Sequence, residues 1–165
     1  MSNIVIAQLL QILSGNPEIN ASNEQQQLIC LADNIYFEAR NQSTAGMMAV
    51  GHVTLNRVED DRYPNTICGV VKEGPVYTNW KGTVLPVKNR CQFSWYCDGK
   101  SDTISDMKIY EKVLDISINL YYNNVYDFTE GSTHYHADYV TPSWASSKTK
   151  TTEIDDHKFY RWEKN

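Results

Sequence analysis

Two helical hydrophobic patterns follow each other between residues 24 and 58, separated only by Asn41–Thr44, and no other stretch constrains the fold as tightly. In the first, Leu28, Leu31, Ala32, Ile35 and Ala39 recur at the spacing of one helix face, which predicts a helix from Glu24 to Arg40. Ser43 or Thr44 suits the cap of the second, which runs from Ala45 to Val58. Its apolar stripe is Met47, Val50, Gly51, Thr54, Leu55 and Val58. A glycine inside a helix costs about 1 kcal/mol relative to alanine, so Gly51 predicts close packing by a neighbouring helix.

The rest of the chain is organised around this pair. Ile4–Leu13 is apolar apart from Gln8 and Gln11 and reads as a short amphipathic helix. Residues 14–23 (SGNPEINASN) are turn-forming, which divides the chain into an N-terminal extension, 1–23, and a main domain, 24–165. Residues 59–103 are rich in loop signals, with short apolar pieces at Ile67–Val71 and Thr83–Val87. A third helix is expected from Ile104 to Asn123, with Thr103 and Asp106 as a capping pair. From Thr133 to Trp162 the pattern alternates as short strands and loops. Helices first and short strands later predict an α+β fold with one mixed core, and a length of 165 residues suits a single domain.

Glu38 breaks the helical pattern in an informative way. It lies seven positions after Leu31 and three after Ile35, so it projects from the apolar face. A carboxylate there is either paired with a cation, Arg40 or Arg57, or partly desolvated. Desolvation raises a carboxyl pKa and leaves a proton to donate near neutral pH, as a general acid for glycosidic cleavage requires.

Two further clusters carry chemistry. In EGSTHYHADY, a strand puts His134 and His136 on one face and Thr133, Tyr135 and Ala137 on the other. With His157 they offer a candidate zinc set; otherwise they hydrogen-bond in a cleft or hold substrate. In the segment 90–96 (RCQFSWY), alternation places Gln92, Ser94 and Tyr96 on one side, where amide and hydroxyl suit sugar hydroxyls, with Trp95 beside them as a half-buried or stacking ring. His52 falls off the α-helical stripe and reads as structural or exposed.

Charge narrows the partner. Lys and Arg number 15 against 20 Asp and Glu, for a net charge of -5, which argues against nucleic acid. The chain has 11 Tyr, 4 Trp and 4 Phe and many Asn and Gln, a supply of rings and amides that suits neutral sugars. Capture of substrate then depends on the cleft, with Arg40, Arg57 and Arg90 as local positive spots. The N-terminal apolar stretch is too short to span a bilayer, so no stable membrane insertion is expected. The first basic residue is Arg40, so the stretch also lacks a signal peptide's positive n-region, and synthesis in the cytoplasm without a Sec signal is expected. Cys30, Cys68, Cys91 and Cys97 lack zinc-ribbon spacing and are expected as buried free thiols, with Cys91–Cys97 or Cys68–Cys97 closing in an oxidising compartment.

The motifs together resemble the SleB-type cell wall hydrolases. IYFEAR, AVGHVTLNRV, YPNTICGVV, CQFSWYCDG, THYHA and HKFYRW occur in the family's order and span Leu28 to Trp162. The resemblance implies a small, distantly lysozyme-like domain with a cleft that cuts peptidoglycan glycan strands, with Glu38 of the YFEAR motif as catalytic acid and no cofactor or metal. Substrate-binding roles are expected for Gln92, Ser94, Trp95, His134, His136, Tyr160, Tyr36 and Arg40, in a monomer. A second carboxylate, if needed, would come from Asp33, Glu59, Asp98, Glu130 or Asp138. Unlike spore members, which carry a signal peptide and a peptidoglycan-binding repeat, this chain shows neither; action on the bacterial wall after holin-type release, as in a phage endolysin, is the matching expectation. The rivals are a zinc amidase built on His134, His136 and His157, and a glycan-binding module without catalysis.

Overall fold

The computed structural model describes residues 2–13 and 22–164. Among the described residues five α-helices come in order: α1 (Ser2–Leu13), α2 (Asn23–Ala39), α3 (Thr44–Val58), α4 (Ile67–Val71) and α5 (Met107–Tyr122). Two strands, β1 (Val76–Thr78) and β2 (Val84–Pro86), form a separate antiparallel hairpin. Three more, β3 (His134–Ala137), β4 (Thr149–Ile154) and β5 (His157–Arg161), form an antiparallel sheet in the order β3-β5-β4. The α+β expectation holds. Of the turn region expected at 14–23, only Ser22 and Asn23 are among the described residues, and there they start α2: Ser22 and Gln25 make a reciprocal capping box.

The main core is helical. Leu28, Leu31, Ala32, Ile35 and Ala39 of α2 are all buried, as their spacing predicts, against Tyr110, Val113 and Leu114 of α5. Leu9 of α1 is buried in the same cluster. Gly51 is where α3 meets its neighbours: a Cβ there would run into Leu120 of α5 and come 3.0 Å from Ile35 of α2. A smaller core joins sheet to helix. Phe159 of β5 is buried against Ala49 and Val53 of α3, with Tyr135 packed beside it. Ala49 and Val53 are short enough to seat two rings, and this decides which sheet face looks inward.

The β4–β5 turn also locks onto α3. Asp155 accepts from the Ser43 amide at 2.9 Å and the Ser43 hydroxyl at 2.6 Å, which gives the helix start a tertiary partner as well as its own cap. Gly46 is required there, because a side chain would collide with the Asp155 carboxylate.

Three local expectations need correction. The third helix starts at Met107, not Ile104; Asp106 alone caps it, accepting from the Ile109 amide at 3.1 Å, while Thr103 pairs with Ser101. Residues Ser94–Cys97 form a 3-10 turn, not a strand. The reason is a Cys91–Cys97 disulfide: an extended run over six residues would separate the Cα atoms by about 20 Å, whereas they stand 6.1 Å apart. The cysteines are not free thiols; the second disulfide, Cys30–Cys68, ties α2 to α4 and lies outside both pairings expected from local spacing. Their separation of 38 residues closes only because α4 docks on α2, a tertiary event.

Candidate active site

Glu38 sits in the last turn of α2, on the helix's inward side but open to a cleft. Its Oε2 accepts a hydrogen bond from the Tyr135 hydroxyl at 2.6 Å. Tyr135 reaches it because β3 alternates: with His134 and His136 on the outer face, Tyr135 points toward the helices. Burial pushes the Glu38 carboxyl above its ordinary range, with the Tyr135 bond and the Arg57 charge pulling the other way. Burial beside Glu38 likewise pushes the Tyr135 phenol far up, so it stays a donor.

Two cavities meet at Glu38 and share Ser94. The smaller, about 130 Å³, is walled by Arg57, Gln92, Phe93 and Tyr135. The larger, about 520 Å³, runs past Phe37, Arg40, Trp95, Asp98, Lys100 and Asp102. Loop 91–97 therefore forms the wall facing α2, and its disulfide holds that wall together. Trp95 is fixed from below: its indole N–H donates to Asn34 Oδ1 at 2.9 Å, and Asn34 Nδ2 donates to Thr54 Oγ1 at 3.0 Å. Its ring stacks on Phe37 with centroids 4.6 Å apart.

Arg57 comes from the last turn of α3. It is only 5% exposed, donates from Nε to the Thr133 carbonyl at 2.7 Å and lies against the Tyr63 and Phe93 rings. Its Nη1 is buried and has no hydrogen-bond partner among the described residues. Glu38 forms no ion pair among the described residues, so the alternative of a helix-end glutamate paired with Arg40 or Arg57 is not realised.

The expected site residues divide. Gln92, Ser94, Trp95 and Arg40 line the cleft beside Glu38. Tyr36 does not: it is buried, and its hydroxyl accepts from the Ser105 and Asp106 amides, leaving no ring face for a sugar. His134, His136 and Tyr160 also lie elsewhere, on the outer face of the sheet. There His136 Nε2 and the Tyr160 hydroxyl are 3.0 Å apart, their rings stack, and Trp144 packs on both. Burial, with Arg57, Lys148 and Arg62 nearby, brings His134 down to about 4, so it is neutral at neutral pH. His157 pairs with Ala137 across the strands and lies edge-on to Tyr135 on the inner face. The three imidazoles of the zinc reading are thus split between two faces of one sheet. His52 is buried and structural, edge-on to Phe128.

Among the candidate second carboxylates, only Asp98 lines a cavity with Glu38, and it lies 3.8 Å from the Lys100 ammonium. Asp33 is held by the Tyr110 hydroxyl at 2.6 Å. Glu59, Glu130 and Asp138 line neither cavity.

Sequence reasoning missed Asn34 and the Tyr135–Glu38 bond, and placed Arg57 as an ion-pair partner or a local positive spot, not as a buried wall of the cavity beside Glu38. Asn34 carried a signal: it precedes Glu38 by four, so it is a second polar group on the same helix face.

A family model described as Cell Wall Hydrolase matches residues 41–160, which include Arg57, Gln92, Ser94 and Tyr135 and begin just after Glu38. A spore cortex-lytic enzyme of Oceanobacillus iheyensis is 33% identical over 66 residues, covering 39% of this chain and 24% of the relative. The chain thus matches about a quarter of that relative's length. Two solved structures share the fold at a TM-score of 0.61 and 24% identity over 87% of this chain. They are the catalytic domain of the Bacillus cereus SleB protein, 95% covered, and that of the germination-specific lytic transglycosylase SleB from Bacillus anthracis, 100% covered.

Proposed function

The chain belongs to the cell wall hydrolase family, and from that premise we propose that it cuts peptidoglycan glycan strands between N-acetylmuramic acid and N-acetylglucosamine, as a lytic transglycosylase with Glu38 as its acid and base. The observation that carries this is the partly buried Glu38 carboxyl, hydrogen-bonded by Tyr135 on one oxygen and open to the cleft.

Tyr135 occupies Oε2, which leaves Oε1 to hold the proton toward the cleft. Glu38 gives that proton to the oxygen linking the two sugars. The bond from this oxygen to C1 of the muramic acid breaks, and the ring moves toward an oxocarbenium ion. Glu38, now a carboxylate, takes the proton of the C6 hydroxyl as its oxygen bonds to C1, closing a 1,6-anhydro ring. Glu38 ends protonated and ready for another turn. Tyr135 and the Arg57 charge support the carboxylate between the two transfers. No water is activated, so one carboxylate serves both steps. A muramidase would need a second carboxylate; Asp98 and Asp102 line the larger cavity with Glu38, so the products decide between the two outcomes.

Gln92 and Ser94 are the hydrogen-bonding groups for the sugars, and Arg40 suits the carboxylates of the strand. Mass spectrometry of digested peptidoglycan tests the reading. Anhydro-muropeptides are expected. Reducing-end muropeptides would indicate a muramidase, free stem peptides an amidase, and no products a binding module.

A further inference from the structure

We infer that the β1–β2 hairpin is a second contact surface for the wall polymer, outside the cleft; the inference rests on the glycan-strand reading above. The hairpin exposes more apolar surface than folding explains. Trp80 is 89% exposed, Val84 61%, Val76 60% and Tyr77 50%. Val76 faces Pro86 and Thr78 faces Val84 on one side, while Tyr77 faces Leu85 on the other. A two-stranded hairpin is marginal on its own, and neither the Trp80 ring at its tip nor Tyr77 of β1 belongs to either core cluster. An exposed apolar patch of this kind marks an interaction site.

Charge identifies the partner. From Gly74 to Cys97 the sequence has no Asp or Glu and carries Lys81, Lys88 and Arg90, in a chain of net charge -5. All three are exposed, and among the described residues none of them is in an ion pair. The Lys81 ammonium lies 4.8 Å from the Trp80 ring centroid, which sets a cation beside an aromatic face. Sugar rings offer apolar faces for stacking, and peptide stems and lactyl groups offer carboxylates. A glycan strand with peptide stems matches both parts of the surface. A bilayer suits it less, because Thr78, Asn79 and Thr83 surround the single Trp80 at the tip.

Position connects the hairpin to the cleft. Its root is tied to loop 91–97 by the Asn89 amide on the Cys97 carbonyl at 2.9 Å and the Gln92 amide on the Glu73 carbonyl at 2.9 Å. Gly74 lies so close to Cys91 that a Cβ would come 2.9 Å from its Cα. The loop that walls the cleft with Gln92 and Ser94 therefore also carries the finger, and one polymer can engage both.

The test uses the full chain with Glu38→Gln, so that binding is read without turnover, on purified sacculi. Adding Trp80→Ala, or Lys81→Gln with Lys88→Gln, is expected to weaken sacculus binding about tenfold. In the Glu38-intact chain, the same changes are expected to lower kcat/KM on sacculi and leave it unchanged on short soluble glycan fragments. Unchanged sacculus binding overturns the inference, as does an equal loss on sacculi and fragments. Trp80-dependent binding to vesicles containing phosphatidylglycerol, without loss on sacculi, overturns it in favour of a membrane. Failure of the cleavage reading is read separately, as an absence of glycan products from the Glu38-intact chain whatever the binding shows.

Discussion

The Tyr135 hydroxyl donates to Glu38 Oε2 across 2.6 Å, between residues 97 positions apart in the chain. A helix end and a strand meet there, and the pair defines the protonation state on which the proposed chemistry depends. Glu38 must be protonated to act, so activity is lost as pH rises through its pKa. That pKa lies above the ordinary glutamate range because burial outweighs the opposing pull of Tyr135 and Arg57. Tyr135→Phe removes a bond that favours the ionised form, so the alkaline limb of the rate profile is expected to move to higher pH while the maximal rate falls about 10–100-fold. The groups facing Glu38 are Tyr135 and Arg57, with Arg40, Asp98, Lys100 and Asp102 along the larger cavity. Initial rates across pH for wild type and Tyr135→Phe check this; a limb that stays put or moves down contradicts it.

The same burial has a consequence for stability. A carboxyl whose pKa is raised by folding favours the folded state at low pH, and that contribution fades as pH rises through the folded pKa. Glu38→Gln carries no charge to bury. Its melting temperature is therefore expected to exceed that of wild type above neutral pH, with the difference shrinking toward pH 4. Thermal melts at several pH values read this directly, and a difference that grows toward acid would contradict it.

Asn34 bridges Trp95 and Thr54 inside the domain. Asn34→Ala leaves the Trp95 indole N–H without its acceptor and is expected to cost about 1–3 kcal/mol of stability. It also frees Trp95 in the cleft, so KM on glycan should rise. Chemical denaturation and steady-state kinetics measure the two effects, and a loss of stability with an unchanged KM would remove Trp95 from substrate binding.

What could be read from the residues followed from regular periodicity. Glu38 was legible because helix spacing alone put it beside Ile35 and Leu31, and Gly51 because a mid-helix glycine needs a packing reason. Tyr36 shares the Ala32–Ala39 face of α2 and is buried with it. His134, His136 and Tyr160 were assigned to the cleft because alternation gives two faces but not which one looks inward. Ala49 and Val53, on a different element, make that choice by seating Tyr135 and Phe159. Alternation failed at 92–96 because the Cys91–Cys97 closure bends the chain into a turn.

The two disulfides should separate on removal. Cys30–Cys68 spans 38 residues, and loop-closure entropy predicts a loss of about 4 kcal/mol on its removal, against about 2 kcal/mol for the six-residue Cys91–Cys97 link. Cys91–Cys97 nevertheless holds the loop that carries Gln92 and Ser94. Replacing both of its cysteines by serine is expected to raise KM more than the Cys30–Cys68 double replacement does. Paired melts and kinetics on the two double variants decide it; the reverse ranking of KM would show that the loop keeps its shape unaided.

The most direct test of Glu38 as acid and base is the yield of 1,6-anhydro-muropeptides from purified sacculi, measured by mass spectrometry for wild type and Glu38→Gln with circular dichroism confirming the fold of both. Anhydro products are predicted from wild type, with a loss of about 10³-fold or more in Glu38→Gln. Release of the same products by folded Glu38→Gln at the wild-type rate would contradict the account.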